Sequence, residues 1–199
     1  MHYVRAESFG TQKLRRLNFD IEARPLGWLG GDWVHKEVTA IGWCWMEENG
    51  RGPEVALLTK RADSAKTMMR RFWEAYNQAD MVVGHFIRSY DLPTLQAEYI
   101  ELGLPILGQK LTHDTLNDLV KQQGISKSQE TMGAMMGIKA PKVQMTVPDW
   151  REANRLTEAG LRKTKERVVG DVIQNMQLHA ELVERELLGP PSVWYPGTD

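Results

Sequence analysis

The sequence predicts an α/β domain built on a mixed β-sheet, and three observations predict it. Near the start, apolar residues recur at period two. In the middle, short apolar runs alternate with stretches at helical spacing, and the final third is helical in pieces. Sequential strands at the start imply an antiparallel meander. Strand-helix alternation implies parallel strands after it, with helices on both faces of the sheet.

Leu17, Phe19, Ile21 and Ala23 form one face of the first strand and Asn18, Asp20, Glu22 and Arg24 the other, with Pro25 as its stop. A Gly- and Trp-rich turn (Trp28 to Trp33) leads to a β-branched and aromatic strand from Glu37 to Met46. Turn residues from Glu47 to Pro53 then precede a third strand, Glu54 to Thr59. Ala65, Met68, Met69, Phe72, Trp73 and Tyr76 recur at helical spacing behind a cap at Asp63 or Ser64. Met81 to Gly84 reads as a short buried strand, Leu92 to Leu102 as a helix and Leu111 to Thr115 as another strand. From Leu116 the spacing is helical, with breaks expected at Gly124, Gly137 to Pro148 and Gly160, and then a long helix through Leu188. Residues 1–188 are expected to form one domain and residues 189–199 a flexible tail. The apolar, proline-rich run from Pro190 to Pro196 suits either partner docking or packing back on the body.

Composition narrows the function classes. With 42% hydrophobic and 26% charged residues among 199 and a mean hydropathy of -0.44, the chain has material for one core and excludes a disordered protein. No apolar run approaches the roughly 18 residues of a membrane span, so no membrane partner is expected. Met1 to Gln12 lacks the layout of a secretory signal, so the expected location is cytoplasmic. Cys44 is the single cysteine, which rules out an internal disulfide and a cysteine zinc site. A net charge of -1 excludes polyanion binding by bulk charge. No Gly-x-x-x-x-Gly-Lys phosphate loop, dinucleotide glycine fingerprint or Gly-x-Ser-x-Gly elbow is present.

Asp20 and Glu22 lie two apart on the first strand, so both leave the same face with Cα atoms about 6.5 to 7 Å apart. On an outer strand that face is solvated. On a central strand two adjacent carboxylates need charge compensation, which a divalent cation with hard oxygen ligands provides. Asp91, before Leu92-Pro93, suits a helix N-cap, and Asp171 after Gly170 suits a local cap; Asp114 reads as structural.

Together these residues resemble the DnaQ-like, or DEDD, superfamily of 3′ to 5′ exonucleases, which has a ribonuclease H-like fold. Phe19-Asp20-Ile21-Glu22 matches the first motif, Val83-Gly84-His85-Phe86 through Asp91-Leu92-Pro93-Thr94-Leu95 the second, and Val168-Val169-Gly170-Asp171-Val172 the third. Their order and spacing agree across Leu17 to Leu187. The resemblance implies that Asp20, Glu22, Asp91 and Asp171 hold two Mg²⁺ or Mn²⁺ ions about 3.5 to 4 Å apart and hydrolyse phosphodiester bonds of DNA by a two-metal-ion mechanism. It also implies DNA 3′ ends as the bound nucleic acid and a polymerase or replication partner in trans.

The chain departs from the pattern at several positions. Active members place a Tyr four residues, or a His five residues, before the last Asp, where this chain has Arg167 and Glu166. Glu166 is the candidate replacement base and Arg167 a candidate phosphate contact, against the alternative that both are solvated helix residues. Phe86 stands where Asn is frequent, as core or as a base-stacking face, and Ala23 where Thr or Ser is frequent. His85 is the histidine best placed to contribute, as a substrate contact or as a structural hydrogen-bonding group. Lys139, Lys142 and Lys163, with Arg167, head a basic stretch suited to phosphate, unless it is ordinary solvated helix charge. Trp28, Trp33 and Trp150 are equally base-stacking candidates and core.

Three readings compete. The first is a metal-dependent 3′ to 5′ exonuclease on DNA. The second is a catalytically degenerate nuclease fold that binds nucleic acid or a replication partner. The third is a ribonuclease or structure-specific endonuclease of the same fold.

Overall fold

The structure, a computed structural model of the chain, describes residues 14–29, 35–48, 52–139 and 143–197. Six strands form one sheet in the order β3-β2-β1-β4-β5-β6. β1 (Arg16–Pro25), β2 (Lys36–Trp45) and β3 (Glu54–Leu57) make the expected antiparallel meander. β4 (Met81–Gly84) and β5 (Lys110–Asp114) run parallel to β1 on its other side.

The two faces of β1 meet different layers. Leu17, Phe19 and Ile21 enter the main core with Met68, Phe72 and Tyr76 of α1 (Ser64–Gln78) and Leu92, Leu95 and Tyr99 of α2 (Asp91–Glu101). The Phe72 ring lies 5.0 Å from that of Phe19 and 5.9 Å from that of Trp43. Each such side chain contributes about 1.5 to 3 kcal/mol on burial, so this aromatic knot anchors α1 to the sheet. α5 (Glu158–Glu184) crosses the opposite face. It packs so closely that a Cβ on Gly42 of β2 would stand 3.0 Å from Val168. β1 is therefore central and covered on both sides, and Asn18, Glu22 and Arg24 on its polar face are buried.

Two short helices precede α5. α3 is Gln129–Met135, and α4 is Val147–Asn154, opened by a capping box between Thr146 and Asp149. Gly160, expected as a break, lies inside α5. Its missing Cβ is what lets α4 approach, since a Cβ there would come within 2.3 Å of the Glu152 carbonyl. The local-cap reading of Asp171 falls for the same reason, because α5 runs unbroken through it. The helix stops at Glu184, short of Leu188.

The expectation of a flexible tail is corrected for its first part. β6 (Ser192–Trp194) pairs antiparallel with β5, and Trp194 joins the main core. Thr112 Oγ1 donates to the Ser192 carbonyl at 2.8 Å. Without this strand β5 would present an open row of backbone donors and acceptors. Among the described residues no helix is long and apolar enough to cross a membrane.

Candidate metal and catalytic centre

The parallel pairing of β1 with β4 ends at Asn18 opposite Val83, and beyond that point the two strands part. This is where the strand order reverses direction from β1, the position at which open α/β sheets form clefts. Asp20 and Glu22 project from β1 beside the gap. A bulge between Glu22 and Ala23 shifts the register with β2. No residue type in the sequence announces that bulge.

On the other side, α5 brings Asp171 to the same place. Carboxylate oxygens of Asp20, Glu22 and Asp171 lie within 4.8 Å of one another. Asp91, the first residue of α2, stands outside this group of three but abuts it, and its Oδ1 accepts the Ile21 backbone N–H at 3.2 Å. That bond satisfies a backbone donor of β1 which β4 no longer reaches. Asp91 is thus a helix residue rather than the cap itself, which is Tyr90.

Burial raises the Asp20 carboxyl well above its ordinary range, reinforced by repulsion from Asp91, Asp171 and Glu22, while Arg167 opposes the rise. Burial likewise pushes Asp91 up to about 8, against the Ile21 N–H bond that favours its charged form. Such a concentration of acid is unfavourable without positive charge. Three hard carboxylate oxygens converging from a strand and a helix are a donor set that could hold a metal ion.

Among the described residues, Arg167 is a positive group of the centre that the sequence did not place there. Arg167 Nε donates to Glu22 Oε1 at 2.5 Å, and its Nη2 lies 3.6 Å from Asp171 Oδ2. Arg167 Nη1 donates to the Val143 carbonyl at 3.2 Å, and the guanidinium carbon sits 5.3 Å from the Trp150 ring centre. The signal was available in the spacing. A residue four positions before Asp171 on a helix shares its face, whereas one five positions before is rotated by about 140°. Glu166 accordingly points elsewhere, exposed and lining a cavity between α4 and α5 with Asp149, Glu152 and Lys163.

Behind the carboxylates runs a buried polar chain. Asn18 Nδ2 donates to the Val172 carbonyl at 2.7 Å, Asn175 Nδ2 donates to Asn18 Oδ1 at 2.5 Å, and Thr115 Oγ1 donates to Asn175 Oδ1 at 2.8 Å. His85 Nδ1 meets Thr115 Oγ1 at 2.9 Å. Because Thr115 spends its proton on Asn175, Nδ1 of His85 is the donor in this order. Asp114 gathers the adjoining loop, with its carboxylate accepting the backbone N–H groups of Phe86, Arg88, Leu116 and Asn117.

Phe86 is 40% exposed at φ 65°, a left-handed conformation uncommon for a bulky residue. Lys139 is exposed before the 140–142 segment. Lys142 and Trp33 lie outside the described residues.

No protein-family model matches the chain, and no curated protein matches it. Among solved structures, it superposes on the family B DNA polymerase from the hyperthermophilic archaeon Pyrobaculum calidifontis with a TM-score of 0.63 and 19% identity. The match covers 86% of this chain and 25% of that one, so this chain spans about a quarter of the polymerase's length. The shared feature is the fold, which is the ribonuclease H-like arrangement of a mixed sheet between helices.

Proposed function

We propose that this chain is a metal-dependent 3′ to 5′ exonuclease acting on DNA. The observation that carries the reading is the convergence of Asp20, Glu22 and Asp171, with Asp91 against them, at the parting of β1 and β4. A fold shared with part of a DNA polymerase supports nucleic acid as the substrate class.

In this reading Asp20, Glu22, Asp91 and Asp171 would together hold two divalent ions. Ions bound there supply Lewis acidity toward a phosphoryl oxygen and lower the pKa of coordinated water. The chain's own groups do the positioning. The Ile21 N–H fixes Asp91, and the Asn18-Asn175-Thr115 chain fixes α5 and the loop of His85. Phe86 offers an exposed ring at the end of β4 on which a terminal base stacks. Lys139, Lys142 and Lys163 are assigned to the phosphate backbone, and His85 to the strand. In the reaction a water oxygen attacks phosphorus, the bond to the neighbouring 3′ oxygen breaks, and that oxygen takes up a proton. The products are a mononucleotide and a strand one residue shorter.

The test is cleavage of end-labelled single-stranded, duplex and mismatched-end DNA, with a matching RNA, in Mg²⁺, Mn²⁺ or EDTA. Stepwise shortening from the 3′ end that requires metal and vanishes in Asp20→Ala and Asp171→Ala is expected. Cleavage that survives both substitutions would sink the reading. A second reading, a fold that binds nucleic acid without cutting it, is favoured by one observation, the Arg167 guanidinium on Glu22 and Asp171. Strand binding without any shortening in either metal would select it.

A further inference from the structure

We infer that Arg167 is a resident cation of the carboxylate centre and competes with a divalent ion for Glu22 and Asp171. The inference rests on the reading of this centre as a metal site. Four contacts hold the guanidinium: Glu22 Oε1 at 2.5 Å, Asp171 Oδ2 at 3.6 Å, the Val143 carbonyl at 3.2 Å and the face of Trp150. Its side chain is 20% exposed, so this is a seated group and not a surface pair.

The competition has two parts. First, Nε donates to Glu22 Oε1 and Nη2 lies beside Asp171 Oδ2, on two of the three carboxylates that converge as candidate ion ligands. Mg²⁺ binds oxygen at about 2.0 to 2.1 Å, so an ion seated on both carboxylates would take the space the guanidinium fills. Second, a guanidinium a few ångströms from a dication repels it strongly in a half-buried site. Arginine suits the role because its planar fork spans two carboxylates at once and its charge persists at every working pH. α4 is the support, since Trp150 lies on it. Arg24 of β1 donates to the Asn154 carbonyl at its far end, and Gly160 lets it close on α5.

The consequence is a centre whose negative charge is partly offset without metal and which takes up an ion only when the guanidinium leaves. Calorimetric titration of the full chain with MnCl₂ alone tests this. Arg167→Gln is expected to bind Mn²⁺ about tenfold or more tighter than the unaltered chain. Trp150→Ala, which loosens the guanidinium without touching a carboxylate, is expected to gain about threefold. As a second readout, Mn²⁺ is expected to raise the melting temperature of Arg167→Gln by a larger increment than that of the unaltered chain. Equal or weaker binding by Arg167→Gln, with an equal or smaller increment, overturns the inference. Neither readout involves cleavage. A chain that cuts no strand yet gains ion affinity in Arg167→Gln would sink the nuclease reading and leave this one standing.

Discussion

At Asp91 a carboxyl group is buried at the first turn of α2, held near 8 by burial. An unfolded Asp titrates near 3.9, so between about pH 4 and pH 8 the folded chain binds the extra proton and its stability falls as pH rises. Asp91→Asn in metal-free buffer is therefore expected to raise the melting temperature more at pH 8 than at pH 5. Thermal melts at the two pH values check this, and an equal gain at both would contradict the burial argument. Phe86 makes a second point at this scale. A left-handed backbone costs a bulky residue about 1 to 2 kcal/mol, and Asn tolerates it better. Phe86→Asn is expected to raise stability by about 1 kcal/mol in urea unfolding. The strain that this relieves accompanies an aromatic ring held exposed just beyond the end of β4. The spacing of Asp20, Glu22 and Asp171, whose carboxylates the fold brings together, was legible because motif order survives in one dimension. The sequence left Arg167 open between a phosphate contact and a solvated residue, because the four-residue spacing puts it on the face of Asp171 but only the docked helix shows that this face meets Glu22.

At the scale of elements, α5 is joined to β5 by a pair of buried imidazoles. His179 Nε2 meets His113 Nδ1 at 2.9 Å, and His113 Nε2 meets the Gly189 carbonyl at 3.0 Å. With Nε2 of His113 donating to that carbonyl, its Nδ1 accepts from His179, and both rings are neutral. Burial lowers His113, and burial with its neighbour lowers His179 to about 3. The unfolded rings charge near 6.5, so the stability this pair lends is present above that pH and is lost as pH falls toward 3. His179→Asn is expected to flatten the fall of melting temperature between pH 6.5 and pH 4. Gly160 governs the other contact of α5. Gly160→Ala is expected to cost about 1 to 3 kcal/mol by forcing α4 off α5, measured by chemical denaturation. A glycine in a helical pattern reads as a break along the chain, and only the partner helix reveals it as a packing site.

For the whole molecule, the antiparallel meander and the parallel strands after it follow from patterns visible in the sequence, namely period-two alternation and then strand-helix alternation. β6 escaped because three residues behind two prolines carry too little periodicity to mark a strand, and β5 alone supplies its reason to form. Arg88 ties that edge to the interior through Asp118 and the Ser192 hydroxyl. Removal of residues 190–199 is expected to lower the melting temperature by several degrees and to promote self-association, read by light scattering, since the bared edge of β5 templates pairing.

The polar chain that joins Asn18 to Asn175 spans 157 positions of sequence. Contacts of that separation are slow to form, because the intervening chain must be ordered before they reward it. The meander and α1 are local and have no such delay. The last helix to arrive is then the one that delivers a third carboxylate to two already in place, against their repulsion, and it carries its own counter-charge one turn away at Arg167. Completing the fold and completing the centre are thus a single kinetic event. A chain in which α5 has yet to dock holds two of the three carboxylates and lacks both Asp171 and its counter-charge.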